Sequence, residues 1–378
     1  MHKIYLDNAA TTPMDPEVID TMVTYMRQHH GNPSSIHAFG REVRAGIEKA
    51  RKQVAGLLNV TPAEIFFTSG GTEANNTALY CSVRDLGVIH IISSVIEHHA
   101  VTHTVEKLEQ EGRVRVSWVK LDEKGHVDLA DLERLLQSGD KTLVSLMHAN
   151  NEIGNLLPIE KVAALCQQYG AFFHCDTVQT MGHFPLDLKS IPVHFVTCAA
   201  HKFHGPKGVG FLYIRHDVKI HPFIFGGAQE RNMRGGTENV YGIIGLAKAL
   251  EISCKEMEGH HKHVEGLKQY MAEKLNASIP GIRFNGDCMG DSLYTVLNVA
   301  FPASEHGEML LFNLDIAGIA CSGGSACSSG SNSGSHVLKA LYGNDARPSV
   351  RFSFSKYTTR EEVDYTVEKL RELYAVSV

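Results

Sequence analysis

The sequence predicts an α/β protein: a large domain on a mainly parallel seven-stranded sheet between helices, followed by a smaller α+β domain. Three observations carry this prediction. From Ala63 to Ile214, seven apolar runs (EIFFTS, VIHIISS, VRVSWV, TLVSLMH, AFFHCDT, VHFVTCA and GVGFLYI) alternate with amphipathic stretches, several of them helix-like. The runs are apolar throughout instead of alternating, as strands covered on both faces are, and crossover helices make such strands parallel. Beyond one long helical stretch the rhythm changes, and strand SLYTVLNVA, helix HGEMLLFNLD and strand IAGIAC read as a second unit.

Taken in order, residues 1–14 read as an N-terminal segment packed on the rest, and 15–257 as the large domain. Residues 258–378 read as the small domain. The boundary falls within the helical stretch Asn239 to Asn276, which a glycine, Gly259, is expected to break. Ser322 to Ser335 is dense in serine and glycine and reads as a mobile surface loop.

Composition narrows the function. A chain of 378 residues is ample for two domains and a cleft between them, at ~150 residues per domain. With 36 basic against 42 acidic residues, evenly spread, neither a nucleic-acid groove nor a polybasic membrane anchor is expected. No apolar run approaches the ~20 residues that span a bilayer, and the start MHKIYLDNAATTP has no signal-peptide layout. The expected location is therefore cytoplasmic. Eight scattered cysteines without a Cys-x-x-Cys pair argue for reduced thiols and against a zinc site, so no metal is expected.

The polar residues that could carry chemistry cluster just after strands, where ligands of parallel sheets bind. After EIFFTS, Gly70-Gly71-Thr72-Glu73 opens a helical stretch, and exposed N–H groups at a helix start make a phosphate cradle. After AFFHC come Asp176 and Gln179, and after FVTCAA come His201 and Lys202. A carboxylate, an amide and a lysine at one sheet edge are what a pyridoxal phosphate site needs: the lysine forms a Schiff base, and the carboxylate keeps the pyridine nitrogen protonated. Near the C-terminus, Ser325-Ala326-Cys327-Ser328-Ser329-Gly330 sets a thiol in the polar loop, where it can act as a thiolate nucleophile. Cys321 reads as packed core. His260, His261 and His263 read as solvated helix residues, and Glu73, Glu152 and Glu238 as capping and loop-packing groups.

The motifs LDNAATTP, GNPSSIH, TSGGTEANN, EHHAV, NNEIG, CDTVQT, HKFHGPKGVG, GGAQERNMRGGTEN, SGGSACSSG and VRFSFSKYTT follow in the order expected of a cysteine desulfurase. Over nearly its whole length the chain resembles the NifS/IscS-type group, within the fold-type I, class V aminotransferase superfamily of pyridoxal phosphate enzymes. The resemblance implies that Lys202 is the Schiff-base lysine and Cys327 the cysteine that takes up sulfur as a persulfide. It implies that His98 stacks on the cofactor ring and shuttles protons, that Asp176 partners the pyridine nitrogen, and that Gln179 and Asn151 lie near the ring oxygen. It further implies phosphate contacts from Gly71, Thr72 and His201, with Thr237 arriving from the second subunit of a homodimer. Arg351 is implied as the clamp on the substrate carboxylate, with Asn151 beside it.

The implied activity is removal of sulfur from L-cysteine, giving L-alanine and a persulfide passed to an acceptor protein, such as an iron–sulfur scaffold. A selenocysteine lyase or an aminotransferase of the same fold is the rival enzyme, and a cofactor-binding scaffold without chemistry the rival non-enzyme. Two positions depart from the housekeeping pattern. Ala199 stands where a phosphate-binding serine is often found, and the chain stops at Val378 without the longer tail that helps dock the scaffold protein.

Overall fold

The computed structural model describes residues 3–303, 307–323, 334–343, 345 and 347–375. After a two-residue strand β1 (Ile4–Tyr5), each of the seven apolar runs yields one strand. These are β2 (Ile65–Thr68), β3 (His90–Ser93), β4 (Arg115–Trp118), β5 (Thr142–Ser145), β6 (Phe172–Asp176), β7 (Phe195–Ala199) and β8 (Gly210–Ile214). They form one sheet in the order β2-β8-β7-β6-β5-β3-β4. All pairs are parallel except those of β8, which runs against both of its neighbours.

Period-two side-chain alternation sorts the strands' apolar residues onto two faces. Ile92, Val144 and Phe211 pack on one face with Val43, Ile47 and Val54 of helix Ala38–Leu57 and with Leu246 and Leu250. Ile91, Leu143 and Leu212 pack on the other with Leu79 of helix Gly71–Leu86 and Val101 and Val105 of helix His99–Gln110. Covering both faces in this way is what made the runs continuously apolar.

The second unit holds β9 (Arg283–Phe284), β10 (Val296–Ala300), β11 (Ile319–Ala320) and β12 (Ser349–Ser353). β12, β10 and β9 form an antiparallel sheet in that order, and β11 pairs in parallel with β1, so the chain's start is stitched to this unit. Helix Val240–Ser278 connects the two cores. Its Leu246 and Leu250 lie in the first core, its Val264, Leu267 and Met271 in that of the small sheet.

Two expectations need correction here. The helix does not break at Gly259 but runs unbroken for 39 residues. The ~1 kcal/mol a mid-helix glycine costs is outweighed by apolar burial on either side of it. The histidines that follow are not simply solvated. His260 Nδ1 lies 3.0 Å from the Tyr294 hydroxyl, the His261 ring stacks on Tyr294 at 4.2 Å, and His263 Nε2 lies 3.0 Å from the Thr358 carbonyl. Burial, helped by His183 and His204 nearby, pushes the His260 pKa down to about 2. Among the described residues no His, Cys, Asp or Glu group is placed to hold a metal ion, and no helix is long and apolar enough to cross a membrane.

Candidate active site

The carboxyl ends of the parallel strands open into a cavity of about 200 Å³. The residue types that line it follow from which strand or helix ends there. β6 ends in Asp176, and the turn after it supplies Val178 and Gln179. β7 ends in Ala199 and passes through a short 3-10 turn, Ala200–Lys202, that swings His201 and Lys202 to the cavity. Met147, Ala149 and Asn151 follow β5, and His98 follows β3.

The turn after β2 takes Gly70 to φ 150°, a backbone conformation that a side chain would oppose. A Cβ on the next residue, Gly71, would sit 2.9 Å from Val178 Cγ2. The pair of glycines thus lets the start of helix Gly71–Leu86 press against the Asp176 turn, and Gly71 and Thr72 present that helix start to the cavity.

Asp176 is buried, with Oδ2 accepting from Asn75 Nδ2 at 2.7 Å and Oδ1 from the Val178 amide at 2.9 Å. Lys202 Nζ donates to the carbonyl oxygens of Ala9 and Ala10, at 2.5 and 2.8 Å, and Gln179 Nε2 donates to the same Ala9 oxygen at 3.1 Å. His98 caps helix His99–Gln110: its Nδ1 accepts from the Ala100 amide at 3.1 Å, so the neutral ring carries its proton on Nε2. His201 Nδ1 lies 3.2 Å from the Thr11 hydroxyl. Burial, with the charges of Lys202 and Lys207, pushes the His201 pKa down to about 4, so the ring is neutral near pH 7.

Arg351 reaches the cavity from β12 of the small sheet and is 1% exposed. Its Nη1 donates to the Asn151 carbonyl at 2.9 Å, and its Nη2 to Asp7 Oδ1 at 2.9 Å and Ser322 Oγ at 3.2 Å. Its Nε, like Asn75 Oδ1, is buried without a partner among the described residues.

Nine residues singled out from the sequence therefore line one cavity: Gly71, Thr72, His98, Asn151, Asp176, Gln179, His201, Lys202 and Arg351. Thr237 does not. It lies with Arg234, Gly236 and Glu238 in a separate hollow of its own chain. Cys327 lies outside the described residues. Cys321 is described, and burial first, then Asp7, pushes its thiol up to about 12.

Sequence reasoning missed Asn75 and Asp7. Asn75 sits four residues after Gly71 in a helix, a spacing that puts it on the face of that helix start. Asp7 meets Arg351 across 344 residues, and local pattern offers no signal for it.

The donors fit pyridoxal phosphate chemically: a helix start for phosphate, a held carboxylate for a ring nitrogen, an amine, and two buried orphan polar atoms on the wall.

Comparison with known proteins places this arrangement. The aminotransferase class-V family model matches residues 4–366, more than nine-tenths of the chain. A cysteine desulfurase IscS of Dictyoglomus turgidum is 43% identical over 375 residues, covering 98% of this chain and 94% of the relative. A solved structure of a NifS-like protein superposes with a TM-score of 0.91 at 39% identity, covering 99% of this chain and 100% of the other. A second, SspA in complex with cysteine, gives a TM-score of 0.82 at 28% identity, over 94% and 100% of the two chains. The chain belongs to the class-V aminotransferases and, within them, to the cysteine desulfurase family. Its activity is that of an L-cysteine desulfurase.

Proposed function

We propose that this enzyme holds pyridoxal phosphate in the cavity on Lys202, and passes the sulfur of L-cysteine through Cys327 to an acceptor protein, such as an iron–sulfur scaffold. The observation that carries the reading is the convergence of Lys202, Asp176 and Arg351 on one enclosed space. The cysteine held by the SspA neighbour supports cysteine as the ligand here. Bound there, the cofactor supplies an electron sink for negative charge at the substrate α-carbon.

The chain's own residues do the rest. Asp176, kept in place by Asn75 and the Val178 amide, would hold the ring nitrogen and keep it protonated. Arg351 binds the substrate carboxylate through its donor fork. Gly71, Thr72 and His201 would hold the phosphate, and Gln179 and Asn151 would lie near the ring oxygen. Lys202 Nζ moves the α-proton, and the His98 ring would stack on the cofactor and relay protons through Nε2. The Cys327 thiolate attacks the substrate sulfur: an S–S bond forms as the C–S bond breaks, the C–S electron pair stays with the substrate, and protons returned through Lys202 and His98 complete L-alanine, so that thiol and L-cysteine become persulfide and L-alanine. The described cysteines, all free, support a cytoplasmic setting.

The test is direct. Purified enzyme, L-cysteine and a reductant should give sulfide and alanine in equal amounts, with a visible absorbance from the bound cofactor. Neither sulfide nor alanine from L-cysteine, with transfer of its amino group to an added keto acid instead, would return the chain to aminotransferase chemistry. Borohydride reduction and peptide mapping should find the pyridoxyl group on Lys202, at the cavity, and none on Lys207, which is exposed. A label on Lys207 would overturn the assignment.

The same reading makes the enzyme a homodimer whose partner supplies Thr237 to the phosphate, since Thr237 lines a hollow separate from its own chain's cavity. Dilution to monomer should then weaken cofactor binding. Equal affinity in a proven monomer would remove the shared site.

A further inference from the structure

The residue holding the substrate-binding arginine in place is on the far end of the chain. Arg351 is a permanent cation that is 1% exposed, and a buried guanidinium needs a counter-ion to stay where it is. Among the described residues its ion-pair partner is Asp7, at 2.9 Å from Nη2. Ser322 ties the pair together, since its hydroxyl donates to the same Asp7 Oδ1 at 2.5 Å and lies 3.2 Å from Nη2. The Asn151 carbonyl takes Nη1. Nε is left buried with no partner among the described residues, on a residue that lines the cavity.

Asp7 is itself anchored by backbone. The Leu6 amide donates to the Ala320 carbonyl at 2.9 Å and the Ser353 amide to the Leu6 carbonyl at 2.7 Å. On its other side, Asn8 Nδ2 donates to the Ser353 carbonyl at 2.8 Å. The carboxylate is therefore carried on a strand end stitched to the strand that carries Arg351, and the two groups cannot drift apart without unpicking those bonds.

We propose that Asp7 is a positioning residue for substrate recognition: the fixed counter-ion that holds the Arg351 guanidinium at the cavity wall, where it meets the substrate carboxylate. The inference rests on the reading of Arg351 as the carboxylate clamp. Asp7 and Ser322 take Nη2 and the Asn151 carbonyl takes one Nη1 hydrogen, which leaves Nε and the second Nη1 hydrogen for one carboxylate, so the effect of Asp7 is confined to ligands that carry that group. An arginine released from Asp7 has its charge but no fixed direction, and a bidentate pair depends on direction.

The experiment uses the holoenzyme, titrated with L-cysteine and with cysteamine, which keeps the amine and thiol but lacks the carboxylate. The readout is the ligand concentration giving half of the initial change in the cofactor's absorption spectrum. Asp7→Ala should raise that concentration about tenfold or more for L-cysteine and less than about twofold for cysteamine. Asp7→Asn keeps an oxygen for Nη2 and for Ser322 but not the charge, so it should fall between, raising that concentration about threefold for L-cysteine and leaving cysteamine little changed, and it serves if the alanine variant does not fold. Equal weakening of both ligands, in whichever variant folds, would reduce Asp7 to a general structural role and overturn the proposal. So would unchanged or tighter L-cysteine binding. If the unaltered enzyme showed no preference for L-cysteine over cysteamine, the clamp reading of Arg351 itself would fail, an outcome distinct from failure of Asp7.

Discussion

Replacing Cys327 by serine is expected to lower sulfide and alanine production by several orders of magnitude while leaving the spectral response to L-cysteine in place. Serine matches cysteine in size but offers a hydroxyl that stays protonated near neutral pH and cannot accept a sulfur atom. On the proposed reading substrate binding depends on Arg351 and Lys202, which the change leaves in place. The control is Cys321→Ser, six residues earlier in sequence, which should keep most activity. If Cys321 proves essential and Cys327 dispensable, the persulfide assignment is wrong.

The other cysteines sharpen this expectation. A sulfur acceptor must be a thiolate or close to one. Burial raises every described thiol away from that state: Cys81 and Cys321 to about 12, with Cys166, Cys175, Cys198, Cys254 and Cys288 also raised. Cys175 and Cys198 lie in central strands β6 and β7 with no exposed surface. None of the seven is a ready nucleophile at pH 7. Cys327 remains as the thiol set in a stretch of small polar residues.

The parts legible in the sequence are those whose signal is local. A buried parallel strand must be apolar at every position, so each of the seven runs became a strand, and β7 spans Phe195–Ala199 within VHFVTCA. Because such strands end at the ligand edge, Asp176 and Lys202 could be placed from their position just after a run. What stayed hidden depends on chain segments far apart. The carbonyls of Ala9 and Ala10 on Lys202 are more than 190 residues away in sequence, and small apolar residues announce nothing about their backbone oxygens. Helix Val240–Ser278 runs through Gly259 because two separate cores hold it, which a count of helix formers around one glycine does not register. His260 was read as surface because its partner, Tyr294, comes from a strand-side segment beyond the helix.

The largest expected stability loss comes from Arg51→Met. Glu230, Arg231 and Asn232 have φ values of 44°, 56° and 66°, three consecutive non-glycine residues in the left-handed region. Each costs roughly 1–2 kcal/mol for an L-residue, so the segment needs an external hold. Arg51 is that hold. From helix Ala38–Leu57 it grips both Glu230 oxygens, Nη1 to Oε2 at 2.7 Å and Nη2 to Oε1 at 2.8 Å. Its remaining donors go to the Ile65 carbonyl at 2.8 Å and Glu48 at 3.0 Å, and its guanidinium lies over the Phe67 ring at 4.7 Å. Glu230 also accepts from the Phe67 amide at 2.8 Å, which fixes the segment to β2. Methionine fills the space but leaves Glu230 a buried carboxylate without its cation, and removing one partner of such a pair costs about 3–5 kcal/mol. Arg51→Lys should fall between methionine and the native residue, because it restores the charge without the two-pronged grip. Glu230→Gln should cost less than Arg51→Met, since its amide oxygen can still accept from Phe67. Urea unfolding of the four proteins at saturating cofactor would measure the order. A loss under about 1 kcal/mol for Arg51→Met would mean the left-handed turn stands without the ion pair. The turn leads through Arg234, which is bonded to Glu73 at 3.1 Å, directly to Thr237. Arg51→Met should therefore also release cofactor more readily than the native enzyme under folding conditions, even though Arg51 lies outside the cavity.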